Sequence, residues 1–409
     1  MTYHSTAQFA PNYDEAKVPN FPVPELMTTF SGEQINNRAE WDMKRRPELL
    51  KFFEENVYGK FPGALDQVTF KILEEDKNAL DGKAHRKQIE VSCEKNNRTL
   101  HFNILLYLPK NKERAPIFLG YNFFGNHTIT SDPHVIVHQA WTMNNADLGI
   151  TENRAKATSR GVRSHRWAVD KILANGFGLG VIYYGEVDPD KNDFSDGLHA
   201  LFYGNGQQKP QEDEWGSIAA WAFGLSRALD VLEKDDLVDA SKVVVFGHSR
   251  LGKAALWAGA TDGRFAAAIS NNSGCGGAAL SKRKFGETVG RINSSFPHWF
   301  CDRFKKFDQN EEALPVDQHQ LLALIAPRPL YVASAAEDQW ADPKGEFLSA
   351  HYTYPVYHLF GKEGIQSPNI PPVNEPIQHT VAYHIRTGVH DVTDYDWEHY
   401  LKWAKQFIE

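Results

Sequence analysis

Residues Val243 to Leu256 read VVVFGHSRLGKAAL, and two incompatible chemistries can be found in them. From Gly247 to Lys253 the letters spell G-x-x-x-x-G-K, the opening of a phosphate-binding loop. Centred on Ser249 they spell an apolar strand, a tight turn tipped by a hydroxyl, and a helix, the layout of a nucleophile elbow. A phosphate loop needs Ser or Thr after its lysine to hold magnesium, and Ala254 stands there. Its partner strand should end in Asp, but PLYVASAAED reaches Asp338 only after Ala-Ala-Glu. The elbow accounts for more residues. A serine at such a turn stands above a sheet, and the helix N-terminus behind it offers backbone donors and a positive dipole end to an oxyanion. The pattern departs from G-x-S-x-G: Leu251 fills the second glycine position and Gly252 follows one residue late.

An elbow requires an α/β framework, and the flanking sequence supplies one. APIFLGY, GLGVIYYG, KVVVFG and PLYVASA are short buried-strand runs, and helical periods fall between them near HRWAVDKILANG and from Trp215 to Glu233. In the second period Ile218, Trp221, Ala222, Leu225, Leu229 and Leu232 recur at steps of three and four, one apolar stripe facing a sheet. Upstream, VTFKILEE, HRKQIEVSC and RTLHFNILLYLP are separated by KNALDGKA and EKNN, which predicts an antiparallel opening meander. DWEHYLKWAKQFIE predicts a closing amphipathic helix, and RAEWDMKRRPELLKFFEENVYG an early one. There is no internal repeat or linker. The expected fold is an α/β-hydrolase three-layer sandwich with a mostly parallel central sheet, residues 61–409, preceded by an N-terminal extension, residues 1–60, packed on that core.

Composition narrows the function. The 409 residues carry 44 Lys plus Arg against 52 Asp plus Glu, and a formal charge of -8 with no basic run disfavours nucleic acid and anionic membranes. No segment reaches the run of about 18 apolar residues needed to cross a bilayer, and the start has neither a basic nor an apolar leader region. A start of this kind suits a chain whose signal peptide is absent, so a secreted or periplasmic protein is expected. Cys93, Cys275 and Cys301 have no metal-ligand spacing, so no metal is expected, and buried thiols are favoured over a Cys275–Cys301 bridge.

A serine nucleophile needs an acid after a later strand and then a histidine. PLYVASAAEDQW offers Asp338, with Glu337 as runner-up, and RTGVHDVTDYDW places His390 in a loop before the final helix, ahead of His358, His379 and His384.

With these residues located, the chain resembles the bacterial glucuronoyl esterases of carbohydrate esterase family 15. The blocks that carry the resemblance span nearly the whole chain: YNFFGNHT, YYGEVDPD, WGSIAAWAFGLSRALDVL, GHSRLGKAALWAGA, NNSGCGGAALSKRKFGETV, EDQWADPKGEF and GVHDVTDYDW. It implies that Ser249 is the nucleophile, His390 the general base, and Arg250 an oxyanion ligand rather than the partner of a surface carboxylate. It also implies that Lys253, Glu287 and Trp340 grip a glucuronic acid ring; a solvated helix residue, a helix cap and a core residue are the plain alternatives. Fungal members carry the triad acid as Glu in an E-S-G context, where this chain has Asn272, so the role falls to Asp338. The cysteines flanking the fungal serine and histidine are replaced by His248 and Asp391, which removes that disulfide. The implied activity is cofactor-free hydrolysis, by a monomer, of esters joining (4-O-methyl)glucuronic acid side chains of xylan to lignin alcohols. An acetylxylan esterase or other carbohydrate esterase on the same fold is the first alternative. The second is a catalytically silent carbohydrate-binding protein, which ten Trp and 12% aromatic residues would suit.

Overall fold

The computed structural model describes residues 10–204 and 206–409. The early helical stretch is one continuous coil, Arg38–Glu40, Trp41–Arg45 and α1 (Arg46–Asn56), wound as a π-turn in the middle. Pro47, which has no N–H to donate, is the second residue after that wide turn, and a π-turn relieves its ring of the clash an α-turn would impose. The coil faces inward with Trp41, Leu49 and Phe53. It is fastened by Arg46, which donates to the carbonyls of Leu324 and Ala260. Tyr58 then stacks on Trp257 at 4.4 Å.

The opening meander is β1 (Gln67–Asn78), β2 (Ala84–Lys95) and β3 (Arg98–Pro109), paired antiparallel. Asn96 and Asn97 make the second turn with φ of 53° and 59°, left-handed values that Asn tolerates. The first turn is shorter than the sequence suggests, because β1 runs on through Lys77 and Asn78.

The rest alternates strand and helix: β4 (Ala115–Asn122), α2 (Val169–Ala174), β5 (Gly178–Tyr183), α3 (Ser217–Leu232), β6 (Val238–His248), α4 (Arg250–Thr261), β7 (Ala267–Asn271), β8 (Leu330–Ala335), α5 (Pro343–Tyr352), β9 (Val381–Arg386) and α6 (Asp394–Phe407). The nine strands form one sheet in the order β1-β2-β3-β5-β4-β6-β7-β8-β9, parallel from β5 onward and antiparallel before it. This is the expected three-layer α/β-hydrolase arrangement.

Side-chain alternation explains the layers, since successive residues of a strand point to opposite faces. Val243, Val245, Ala268, Leu330, Val332 and Val381 join one core with α3, α4 and α5. Val244, Phe246, Ile269, Tyr331, Ala333 and Ala382 join a second core with α2 and α6. Because both faces are covered, the strands read as continuous apolar runs. The helix expected over HRWAVDKILANG is cut to Val169–Ala174, because the Trp397 indole takes the Arg166 carbonyl as its acceptor. β9 was not read from the sequence.

The carboxyl ends of β6, β8 and β9 lead into Ser249, Asp338 and His390, so the three expected groups open on one edge of the sheet, where α/β proteins place their ligands. The turn at Ser249 permits no side chain two residues earlier: a Cβ at Gly247 would lie 1.9 Å from the Leu251 carbonyl oxygen. Gly247→Ala is therefore expected to destabilise the chain by about 4 kcal/mol or more, or to leave it insoluble. Chemical denaturation of the purified variant measures this, and an unchanged midpoint would refute the close approach.

Candidate active site

Ser249 has φ 58° and ψ −131°, a left-handed conformation that a non-glycine residue adopts only when its surroundings enforce it. Helix α4 begins at the next residue, so its first backbone N–H groups lack intrahelical acceptors and point toward the serine end of the helix. The displaced glycine also has a physical reason. Leu251 is buried in the core, whereas Gly252 faces the loop after β7, where a Cβ would come within 3.0 Å of Ser273.

Behind the elbow, the Nδ1–H of His390 donates to Asp338 Oδ2 at 2.5 Å. Burial would push the Asp338 carboxyl up, but the His390 bond and charge, together with the Asn272 amide, hold it below the usual carboxylate range. Asp338 is thus an ionised acceptor at neutral pH. Glu337, the runner-up, is exposed and contributes its backbone N–H to Gly388 instead. Asn272 Nδ2 donates to the same Asp338 oxygen at 2.7 Å, so a glutamate at position 272 would place a second carboxylate against the first. The His390 imidazole, 39% exposed, lies 4.5 Å from the ring of His248, the residue before Ser249.

The loop carrying His390 is held from below. Arg386 donates Nε to Asp396 and fans its remaining N–H groups to the carbonyls of Thr387, Val389 and Asp391. Asp396, fully buried, also accepts from His384, from the backbone and hydroxyl of Thr393, and from Asn271. Asn271 accepts in turn from Nδ1 of His248 at 2.7 Å. Burial keeps His248 far below the ordinary histidine value, so it is a neutral ring in a fixed tautomer.

Arg250 pairs with a carboxylate, but not a surface one. Its partner Asp190 is 1% exposed and also accepts from Tyr184, from His298 at 2.8 Å and from the Trp299 indole at 2.7 Å. Burial opposes ionisation of Asp190, yet His298, Arg250 and Trp299 together pull its carboxyl well below the ordinary value. The guanidinium is boxed by Trp299, Phe296 and Phe123, with centroids at 4.7, 5.3 and 5.8 Å. Its Nε–H is buried and has no acceptor among the described residues.

One turn further along α4, Lys253 is buried and donates to the Ser273 carbonyl, 3.8 Å from Glu287. Burial pushes Lys253 down and Glu287 up, each toward its neutral form and each partly restrained by the other's charge. The backbone N–H of Glu287 donates to the carbonyl of Trp340, whose indole is half-buried. Lys253, Glu287 and Trp340 therefore share one wall, which excludes the solvated-helix reading of Lys253. All three cysteines are buried and free, so Cys275 and Cys301 are not bridged. Among the described residues no cluster of His, Cys, Asp or Glu could hold a metal ion, and no helix is long and apolar enough to cross a membrane.

Several supports escaped the sequence reading, Asp190, Asp396 and Glu346 among them. Asp396 and Glu346 each lie six residues after a residue singled out there, His390 and Trp340. Glu346, on α5, accepts from Ser334 at 2.6 Å and from the backbone of Gly274, under the loop that carries Asn272. All three lie in or beside the family blocks, which is the signal that could have found them.

Comparison with known proteins yields consistent matches. A family model described as fungal glucuronyl esterase matches residues 190–361. The chain is 48% identical over 394 residues to carbohydrate esterase MZ0003 from an unknown prokaryotic organism, covering 96% of this chain and 91% of that protein. A promiscuous CE15 esterase from a marine bacterial metagenome superposes with a TM-score of 0.92 at 47% identity, covering 97% and 100% of the two chains. A glucuronoyl esterase from Solibacter usitatus gives 0.90 at 46% identity, covering 95% and 99%.

Burial pushes the Glu346 carboxyl from 4.5 to about 8, helped by the charge of Asp338. As pH rises from about 4.5 to about 8 the unfolded chain releases this proton and the folded chain keeps it, so stability falls across that window and levels off above it. Glu346→Gln, which mimics the protonated group, is expected to flatten the slope and to gain on the wild type by a few kcal/mol between pH 5 and 8. Parallel denaturation series at both pH values measure the difference, and equal slopes would exclude Glu346 as the source.

Proposed function

Because the chain belongs to carbohydrate esterase family 15, the glucuronoyl esterases, we propose that it hydrolyses esters of (4-O-methyl)glucuronic acid through a Ser249–His390–Asp338 triad. His390 takes the Ser249 proton as the hydroxyl oxygen attacks the ester carbonyl, while Asp338 fixes the tautomer and stabilises the imidazolium. The tetrahedral oxyanion is held by the first N–H groups of α4 and by Arg250. Collapse expels the alcohol, which takes the proton from His390 and leaves a glucuronoyl ester on Ser249. Water, deprotonated by His390, then cleaves that ester and frees the uronic acid. No cofactor enters any step.

The single observation that carries this reading is the Asp338–His390 hydrogen bond at the sheet edge where the Ser249 elbow opens. The unpaired Nε–H of Arg250 supports the oxyanion role, since it is a buried donor fixed beside the nucleophile before any substrate arrives. Lys253, Glu287 and Trp340 suit a polyhydroxylated acyl group, because two desolvated ionisable groups beside an indole can exchange hydrogen bonds with ring hydroxyls. We assign residues 61–409 as the catalytic unit with residues 1–60 as an extension. We take the alcohol to be a lignin unit on a xylan side chain, the enzyme to be monomeric, and its place of work to be outside the cytoplasm.

A second reading, ester hydrolysis with a broader choice of acyl group, is favoured by the similarity to an esterase described as promiscuous. Hydrolysis rates on benzyl glucuronate, acetylated xylan and 4-nitrophenyl acetate decide between them. Strong preference for the uronate is expected, with a loss of roughly ten-thousandfold or more in Ser249→Ala. Equal rates on acetyl esters would favour the broader reading, and Ser249-independent hydrolysis would sink both. Arg250→Ala is expected to lower kcat about a hundredfold, about 3 kcal/mol of barrier, with little change in KM. A change confined to KM would instead place Arg250 in substrate binding.

A further inference from the structure

Away from the triad, a cleft of 460 Å³ lies between the outer part of the sheet, the Ile136 to Trp141 segment and the turn from Gly185 to Pro189. Its lining combines the apolar Leu100, Ile136 and half-buried Trp141 with the polar Asn103, His138, Glu186 and Asp196.

The polar part of the lining has an unusual imbalance. Each of its carboxylates already has a donor: Glu186 takes both the backbone and side-chain N–H groups of Asn103, Asp196 takes Lys191, and neighbouring Glu90 takes Lys71. Yet three buried acceptor atoms, Asn103 Oδ1, His138 Nδ1 and Asp196 Oδ1, have no donor among the described residues. His138 is 7% exposed, and burial holds it at about 4, so the ring is neutral. Its Nε2–H points to the Phe124 carbonyl, which leaves Nδ1 as a lone pair. A water-sized recess bounded by the same Asn103, Ile136, His138 and Glu186 adjoins the cleft, so Asn103 and His138 border both spaces, whereas Asp196 borders the cleft alone. Buried acceptors without donors are rare in native structures, and each calls for a hydrogen-bond donor. With the acid groups already paired, what is lacking is neutral O–H donors rather than positive charge. The Trp141 indole and the aliphatic Leu100 and Ile136 in the same lining supply the apolar surface that a pyranose ring packs against.

We propose that this cleft is a second saccharide-binding site, which takes a mono- or disaccharide-sized segment of a neutral glycan independently of ester cleavage. Hydroxyls of the glycan, directly or through a water in the recess, donate to Asn103, His138 and Asp196 while one ring lies on Trp141. The site would hold a polymeric substrate while the triad works on a side chain.

The test is calorimetric titration of the full chain with xylotetraose and, in parallel, cellotetraose. The choice of a xylose probe rests on the proposed function, and the glucose probe does not. Saturable binding of at least one tetrasaccharide is expected, weakened by about tenfold in Trp141→Ala. Ile136 is 42% exposed, so Ile136→Arg crowds the cleft without entering the core and is expected to produce the same loss. Both variants should keep wild-type hydrolysis of benzyl glucuronate, which reports on the triad alone. Absence of binding to both probes, or binding indifferent to both substitutions, would overturn the site while leaving the esterase reading intact. Failure of the wild type on benzyl glucuronate would do the reverse.

Discussion

The carboxylate of Asp396 is the constraint around which the sheet edge carrying Ser249 and His390 is assembled. Buried completely, it gathers hydrogen bonds from His384 and Arg386 on β9, from Thr393 at the head of α6 and from Asn271 at the end of β7. A buried charge is tolerated only when it is paired and its lone pairs are filled, and this one is. Through Arg386 it fixes the carbonyls around His390, and through Asn271 it fixes His248 beneath the same imidazole. The His390 loop and the elbow are thus tied to one anchor, although His390 and Ser249 lie 141 positions apart. The position of the His390 imidazole follows from an ion pair rather than from a covalent strap.

Asp190 plays the corresponding part on the other side of the serine. Four donors converge on its two oxygens, and the surplus of positive and N–H partners keeps it ionised in a dry setting. Arg250, the residue after Ser249, is thereby a cation held in one orientation instead of a flexible side chain. The aromatic box of Phe123, Phe296 and Trp299 limits its remaining freedom.

How much of this was readable from the chain depended on distance along it. Strand, turn and helix at Val243 to Leu256 are local grammar, and the order of acid and base follows from which strand precedes each loop. The opening meander, the long helix α3 and the closing helix α6 were legible for the same reason; in α6 the periodicity does report a single buried face, whereas α3 is buried on nearly every side and its apolar stripe is only part of what it packs. What escaped is non-local. β9 reads VAYHIR, and its His384 and Arg386 disguise a fully buried strand, since their partner Asp396 is polar and lies on another element. Asp190 meets Arg250 across 60 residues and Trp299 across 109, a separation over which no periodicity carries information. The segment from Asn126 to Trp167 has no repeating pattern, and its short turns are set by contacts such as Asp391 with Arg166.

The free state of Cys93, Cys275 and Cys301 has a consequence for biosynthesis. A scaffold cross-linked between elbow and base loop completes its site only where an oxidant and an isomerase are at hand, and loses it to a strong reductant. Here the equivalent union is made of charges and amides, which form at the rate of folding itself and ignore the thiol balance of the surroundings. None of the contacts that build this geometry depends on thiol oxidation, so the redox state of the surroundings does not decide whether it forms.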